Sequence, residues 1–337
     1  PHVTLHYYAP DGKEAHYEAS ISELPATPKE VKPHPHGVEL GVFIKMLQDS
    51  KAKTAAQFLS KSFSRVSSRV ARKVLEAAGL TARSHPNRLA QEAVKDVYQR
   101  LQDEKILAPS TDCVVPIGEE QLVAGLKQVV DAAFYTAVSR KPSVYRGNPF
   151  VVEAAIAYGK PETKAQKEQR LEQEIEAEAN GEDEDDTSLA HVLRLANRVP
   201  LQYQQGACAI TKSVVGTNWR GYGLQQGRGA LPSGDLTIVV HMASVWVPFT
   251  SESKEAVASY PEILKELRLA LQECGRRLGS HIRKTIRIRR ELKKRSYIEK
   301  YIPAIGEALK DMLDLSEKQT DDVCENLKDV LERSRKM

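Results

Sequence analysis

Lys254 is the residue of this chain best suited to meet a charged ligand. It follows an apolar run, Thr237-Ile238-Val239-Val240 to Val247-Pro248-Phe249, and then the polar step Thr250-Ser251-Glu252-Ser253. The pattern predicts a strand that runs into a helix beginning near Lys254, with Ser251 or Ser253 as N-cap and acidic residues around the first turn. Unpaired N–H groups at a helix start, together with one ammonium, suit an anion and above all a phosphate. The plainer reading of the same residues is a capped surface helix carrying a solvated lysine.

Other chemistry finds little support. No acid–base pair, nucleophile arrangement or metal cluster stands out. Cys113, Cys208, Cys274 and Cys324 lie far apart without a C-x-x-C pair and read as reduced thiols. The histidines form no H-E-x-x-H, and His34 and His36 stand alone in a Pro-rich stretch. Gly221, Gly223, Gly227 and Gly229 invite a phosphate-loop reading. No strand leads straight into them, no helix opens from them and no Gly-Lys-Ser/Thr follows, so a flexible loop is the better account.

The elements that must carry Lys254 can be read in outline. With 337 residues and 41% apolar content, the chain can build two or three cores. Residues 3–8 and the run to about Ser20 alternate around Pro10-Asp11-Gly12, the pattern of a hairpin. A lone hairpin is marginal in water, so the chain, which begins at Pro1, reads as a piece cut from something larger. Residues 22–37 are a Pro-rich linker. Helices are predicted at about 39–49, 54–63, 66–78 and 88–104, then at Glu119–Val130. Strands are predicted at Ala133–Ser139, Phe150–Tyr158 and His191–Leu201, the second so continuously apolar that both its faces should be covered. A helix is predicted at Gly206–Val215. Ile263, Leu267, Ala270, Cys274, Leu278 and Ile282 recur at steps of three or four and predict a long amphipathic helix, stopped at Tyr301-Ile302-Pro303. Two shorter helices, about 304–315 and 318–335, follow.

Charge is unevenly spread. Residues 172–186 carry nine acids and no base, whereas residues 276–295 carry ten Lys or Arg and one acid, Glu291. The segment 160–187 reads as a solvated acidic insertion. Lys61, Arg65, Arg69, Arg72 and Lys73 in the helical module form one candidate face for duplex DNA, and Arg283, Lys284, Arg287 and Arg290 another. The alternative for both is an ordinary solvated helix face. No run of 18 uncharged apolar residues predicts a membrane span. With no secretion leader in view, the expected location is cytoplasmic and nucleoid-associated.

Several segments, in order and with matching spacing, resemble the B subunits of DNA topoisomerase VI over nearly the whole chain. Asn197-Arg198-Val199-Pro200-Leu201, Gly206-Ala207-Cys208-Ala209, Trp219-Arg220-Gly221-Tyr222-Gly223, Val247-Pro248-Phe249-Thr250-Ser251-Glu252-Ser253-Lys254 and Lys300-Tyr301-Ile302-Pro303 are similar to that family's transducer. Arg140-Lys141-Pro142-Ser143-Val144-Tyr145 and Asn148-Pro149-Phe150 are similar to its first strands. Lys32-Pro33-His34-Pro35-His36-Gly37-Val38-Glu39-Leu40-Gly41 is similar to the start of its helix-two-turns-helix domain.

The resemblance implies an α+β multidomain chain. Residues 1–30 would be a remnant hairpin of a GHKL ATPase domain with its linker, and 31–112 a small all-helical helix-two-turns-helix module. Residues 113–303 would be an α/β transducer with the acidic insertion 160–187 and the long amphipathic helix, and 304–337 the C-terminal helices. The implied function is that of an ATP-dependent type IIB topoisomerase. ATP and Mg²⁺ bind the full-length protein, two B subunits close around double-stranded DNA, and hydrolysis is coupled to strand passage by the topoisomerase VI A subunit in a heterotetramer. Lys254 then corresponds to the lysine that meets the γ-phosphate. The GHKL pocket motifs are missing from this sequence, so the chain alone should hold no nucleotide and be inactive; it also carries no cleavage chemistry. A second reading is a non-catalytic duplex-binding or scaffold protein built from the same domains. It would bind DNA in a salt-sensitive way without needing a second protein.

Overall fold

The computed structural model describes residues 3–19, 24–161, 163, 166, 169 and 188–333. Two compact units divide the chain: Pro1–Lys160 with Ser188–Leu278, and the described residues of Pro161–Thr187 with Gly279–Met337. Most of the predicted acidic insertion therefore lies outside the described residues.

The first unit opens with the predicted hairpin, β1 (Leu5–Tyr8) and β2 (Glu14–Tyr17), paired antiparallel as a sheet of its own. The helical module follows: α1 (Leu40–Gln48), α2 (Ala55–Ser62), α3 (Ser68–Ala77) and α4 (Gln91–Asp103). Thr54 and Ser67 cap α2 and α3 through their hydroxyl oxygens, each accepting an amide three residues on. Phe43, Phe58, Phe63, Leu75 and Leu101 fill its core, with ring centroids of the three phenylalanines 5.7–5.8 Å apart. His34 and His36 do not stand alone as the sequence suggested. His34 Nε2 donates to Leu107 O (3.1 Å) and His36 Nε2 to Glu104 O (3.2 Å), closing the module's two ends together. Burial holds the His34 imidazole below its ordinary range.

The second layer is a six-stranded mixed sheet in the order β3 (Phe134–Ser139), β5 (Asn148–Tyr158), β10 (Leu236–Ser244), β6 (His191–Ala196) and β7 (Val199–Pro200), with β4 (Ser143–Tyr145) beside β5. β5 and β10 pair antiparallel over nine residues, and β10 and β6 run parallel. As the continuous apolar run predicted, β5 is buried on both faces. One face receives α5 (Glu119–Val129), whose Leu122 and Leu126 meet Ala155, Ala157 and Val239. The other receives α6 (Ala209–Val215) and the start of α7 (Pro261–Leu313). Ile263, Leu267, Ala270, Leu271, Cys274 and Leu278 are each 0% exposed, and Cys274 Sγ reaches Ala154 O at 3.4 Å. The predicted apolar face of this helix is thus its buried face. The short ladder of β8 (Gln225–Gln226) and β9 (Pro232–Ser233) completes the unit.

Four local readings are corrected. The strand predicted at His191–Leu201 reverses at Asn197-Arg198, where two consecutive positive φ angles (46° and 69°) make a two-residue hairpin turn between β6 and β7. The Gly-rich loop is ordered, because the Gln226 amide bonds Val215 O, Ala230 O and the Trp219 amide, and Arg220 Nε bonds Gln226 O. No helix starts at Lys254; the helix begins at Pro261. Pro303 does not stop that helix, which runs on to Leu313. In the second unit α8 (Glu317–Arg333) folds against it there: Cys324 Sγ lies 3.8 Å from Ile302 O, and a Cβ on Gly306 would strike Cys324. That packing outweighs the single hydrogen bond the proline removes.

Two ties hold the layers of the first unit. The β4–β5 turn, Arg146-Gly147, presses on the helical module so closely that a Cβ on Gly147 would fall 2.7 Å from the Gly37 nitrogen. Beside it Tyr145 stacks on Tyr260 (centroids 4.4 Å apart), the residue preceding α7, with the Arg146 guanidinium 5.5 and 5.6 Å from the two rings. Burial pushes the Tyr145 phenol up to about 12.

At the sheet centre, opposite residues of β5 and β10 form a buried, hydrogen-bonded carboxylate–imidazole pair. Glu153 Oε2 accepts from His241 Nδ1 at 2.8 Å and from the Ile117 amide at 2.7 Å, and Oε1 from the Gly118 amide at 2.8 Å. His241 Nε2 accepts the Arg198 amide (3.1 Å), which fixes the imidazole proton on Nδ1. Burial alone would raise the Glu153 carboxyl, but these bonds outweigh it and hold it below the ordinary carboxylate range. Its stabilisation is therefore complete above that range and is lost as pH falls below it, through the depressed value of the folded state. Glu153→Gln removes the charge and turns a donor toward donors. Urea unfolding at pH 7 should show a loss of about 1–3 kcal/mol, and the difference from wild type should shrink in acid.

Candidate functional site

Lys254 sits on a loop that leaves the central strand. After β10, Ser244 is locked by Asn197, whose side chain accepts the Ser244 amide and donates to Ser244 O, both at 2.9 Å. The chain then passes Val247 and Pro248, both buried, and closes a narrow-necked loop. Phe249 and Val257 form an antiparallel bridge, and Thr250 N–H donates to Ala256 O at 2.9 Å. Ala256 and Val257 are 0% exposed, so the neck is anchored in the core. The apex, Ser251 to Glu255, projects outward with Lys254 exposed.

The lysine is held by its backbone and not by a helix. Its φ is +56°, a left-handed conformation that costs a non-glycine residue about 1 kcal/mol. Its amide donates to Ser251 O at 3.2 Å, and Ser251 Oγ and Ser253 Oγ lie 2.7 Å apart. The two serines therefore close a turn instead of capping a helix. Among the described residues the Lys254 ammonium has no ion pair, although Glu252 and Glu255 are near in sequence. Glu255 is engaged elsewhere, accepting from Gln204 Nε2 at 2.8 Å. An outward ammonium without a counter-ion, on a strained turn above a rigid neck, is chemically fit to meet an incoming anion.

The basic residues fall in two places. Lys61, Arg65, Arg69, Arg72 and Lys73 lie on α2, α3 and their connection; all five are exposed, and the Arg65 backbone is left-handed, with φ 60°. Two of the five have partners: Lys73 Nζ pairs with Glu104 at 2.7 Å, and Arg65 Nε donates to Ala108 O at 3.1 Å. Among the described residues no hydrogen bond or ion pair joins this face to the Lys254 loop. Arg283, Lys284, Arg287 and Arg290 are exposed on α7 within the second unit. Positions 283, 287 and 290 share one stripe of that helix.

The sequence reading missed Glu153, His241, Arg194 and Gln204. Glu153 and His241 did leave a signal, each being a lone ionisable residue inside an apolar strand run, which is tolerated only when paired. Gln204 left none. Among the described residues no group of His, Cys, Asp and Glu could hold a metal ion, and no helix is long and apolar enough to cross a membrane.

The region that builds the sheet, the lysine loop and α7 is also the region that matches a known family. Residues 109–295 match the transducer of the topoisomerase VI B subunit. The chain belongs to the topoisomerase VI B subunit family. Its curated relatives include the type 2 DNA topoisomerase 6 B subunit of Methanococcoides burtonii, 39% identical over 93% of this chain and 47% of the relative. The Archaeoglobus fulgidus protein of that name is 38% identical over 93% of this chain and 48% of its own length. The Methanothermobacter thermautotrophicus protein is 31% identical over 99% and 60%. The chain thus spans about half the length of the curated relatives it matches.

The strain at Lys254 is testable without any ligand. Lys254→Gly relieves a left-handed lysine and removes no described contact. Thermal unfolding should show unchanged or slightly raised stability, by up to about 1 kcal/mol. A clear loss would mean the lysine is held by packing that the loop geometry does not contain.

Proposed function

We propose that this chain is the coupling part of the B subunit in an ATP-dependent type IIB topoisomerase. In this reading residues 31–112 are the helix-two-turns-helix domain, 113–303 the transducer and 304–337 the C-terminal helices. The observation that carries it is Lys254: an unpaired, outward ammonium on a strained turn, inside the stretch that matches the family's transducer. Lys254 would be the γ-phosphate sensor. ATP and Mg²⁺ belong to the full-length protein, and the metal would supply charge neutralisation on the phosphates there. What this chain supplies is an ammonium that donates to the terminal phosphate and loses that partner when phosphate leaves. The neck at Phe249 and Val257 carries the change to β10 and to α7, which starts three residues beyond Ala258. The partners in this reading are double-stranded DNA, the topoisomerase VI A subunit, which cleaves it, and a second copy of the B subunit. The basic faces at Lys61–Lys73 and Arg283–Arg290 would contact phosphates without reading sequence.

In the full-length protein paired with the cleaving A subunit, Lys254→Ala should lower ATP-dependent relaxation by about tenfold or more, the worth of one charge-assisted bond. Duplex binding should stay within about twofold of wild type. Normal relaxation by this variant would sink the sensor role. Replacing Arg283, Arg287 and Arg290 together by Ala should reduce the slope of log affinity against log salt by about 2–3; an unchanged slope would remove this face from the DNA path.

A further inference from the structure

Among the described residues, the apex of the lysine loop has one side-chain tie to the rest of the protein. The neck is fixed by backbone bonds, and Ala209 N–H adds another to Val257 O at 2.8 Å. Between the legs, Ser251 to Glu255 hold each other only through the Lys254 amide and the two serine hydroxyls. The external tie is Gln204 Nε2 donating to Glu255 Oε2 at 2.8 Å.

Gln204 is itself placed from below. It adopts a left-handed φ of 52° between β7 and α6. The carbonyls just before it, Leu201 O and Tyr203 O, accept from Arg194 Nη2 at 2.7 and 3.0 Å. The Arg194 side chain rises from β6, is 1% exposed, and leaves Nη1 without a partner. A buried guanidinium bound to carbonyls cannot drift without losing both bonds in a site water does not reach. Gln204 therefore reports the position of the sheet to the loop.

The tie has a second effect. Glu255 follows Lys254 directly in the chain and carries a carboxylate that could compete for the ammonium. A carboxylate engaged by Gln204 competes less for Lys254, which leaves the ammonium free for another anion. We propose that Gln204 is a positioning residue for Lys254: acting through Glu255, it holds the apex in register and keeps the ammonium unpaired until the phosphate arrives. This rests on the sensor reading above. A loop fixed only at its legs would sample other apex conformations, and the competent fraction would fall accordingly.

The test is ATP-dependent relaxation by the full-length protein paired with the cleaving A subunit. Q204A removes one exposed hydrogen bond and should slow relaxation by about fivefold. Q204E sets two carboxylates against each other and should slow it further. The exchange Q204E/E255Q restores a donor and an acceptor with their sides swapped, and should recover activity to within about twofold of wild type. Q204A should cost nothing more in a K254A background. An exchange variant no better than Q204E, or equal losses from Q204A with and without Lys254, would overturn the positioning role. Wild-type activity of Q204A beside an impaired K254A would overturn it too, while sparing the sensor. Full activity of K254A would instead remove the sensor reading itself.

Discussion

The buried pair of Glu153 and His241 is the constraint on which the first unit turns. Two ionisable groups are 0% exposed between the two central strands, and the remaining acceptors of the pair are filled by backbone amides from two segments outside those strands. The Ile117 and Gly118 amides lie in the loop that leads into α5, and the Arg198 amide in the β6–β7 turn. One carboxylate and one imidazole thus set the register of β5 on β10, the position where α5 begins, and the place where the outer strand reverses. None of these could move alone without leaving a buried polar group short of a partner, which costs about 1–3 kcal/mol. The Arg198 guanidinium repeats the tie by donating to Pro116 O at 3.1 Å.

From this centre the lysine loop follows. β10 carries His241 and, three residues later, Ser244, which Asn197 locks. The next buried residues form the neck, and the apex stands clear of it. A rigid neck under an apex with few ties is what a sensing loop requires: the contact can change at the tip while the displacement is delivered to a strand and to a long helix. The Tyr145–Tyr260 stack and the Gly37–Gly147 contact extend the same frame to the helical module.

Much of this fold was legible where residues report on their own surroundings. The helical module and the buried face of α7 follow a period of 3.6, and the unbroken apolar runs of β5 and β10 mark strands covered on both faces, all set by local burial. The failures share one cause. Asn197-Arg198, Lys254 and the Gly-rich segment are shaped by particular bonds that no periodicity announces: to Ser244 and His241, through the Ala256 and Val257 neck, and to the Gln226 amide. Ser251 and Ser253 before an acidic stretch look like an N-cap, yet the Phe249–Val257 bridge leaves no room for a first helical turn. Pro303 fails as a stop because α8 packs against the helix at that point. For the candidate site, Lys254 was singled out by its local sequence and then by the family resemblance. Gln204 was not, since an exposed glutamine gains meaning only from what it touches.

The central claim is that a buried pair fixes the frame from which the lysine loop projects. Native-state hydrogen exchange at single-residue resolution tests it most directly. The amides of Ile117, Gly118 and Arg198 lie outside helices and strands, and would ordinarily exchange as loop amides do. If Glu153 and His241 hold them, they exchange with opening free energies close to that of global unfolding, while the amides of Ser251 to Glu255 exchange far faster. Fast exchange at Ile117, Gly118 and Arg198 under the same conditions would contradict the account.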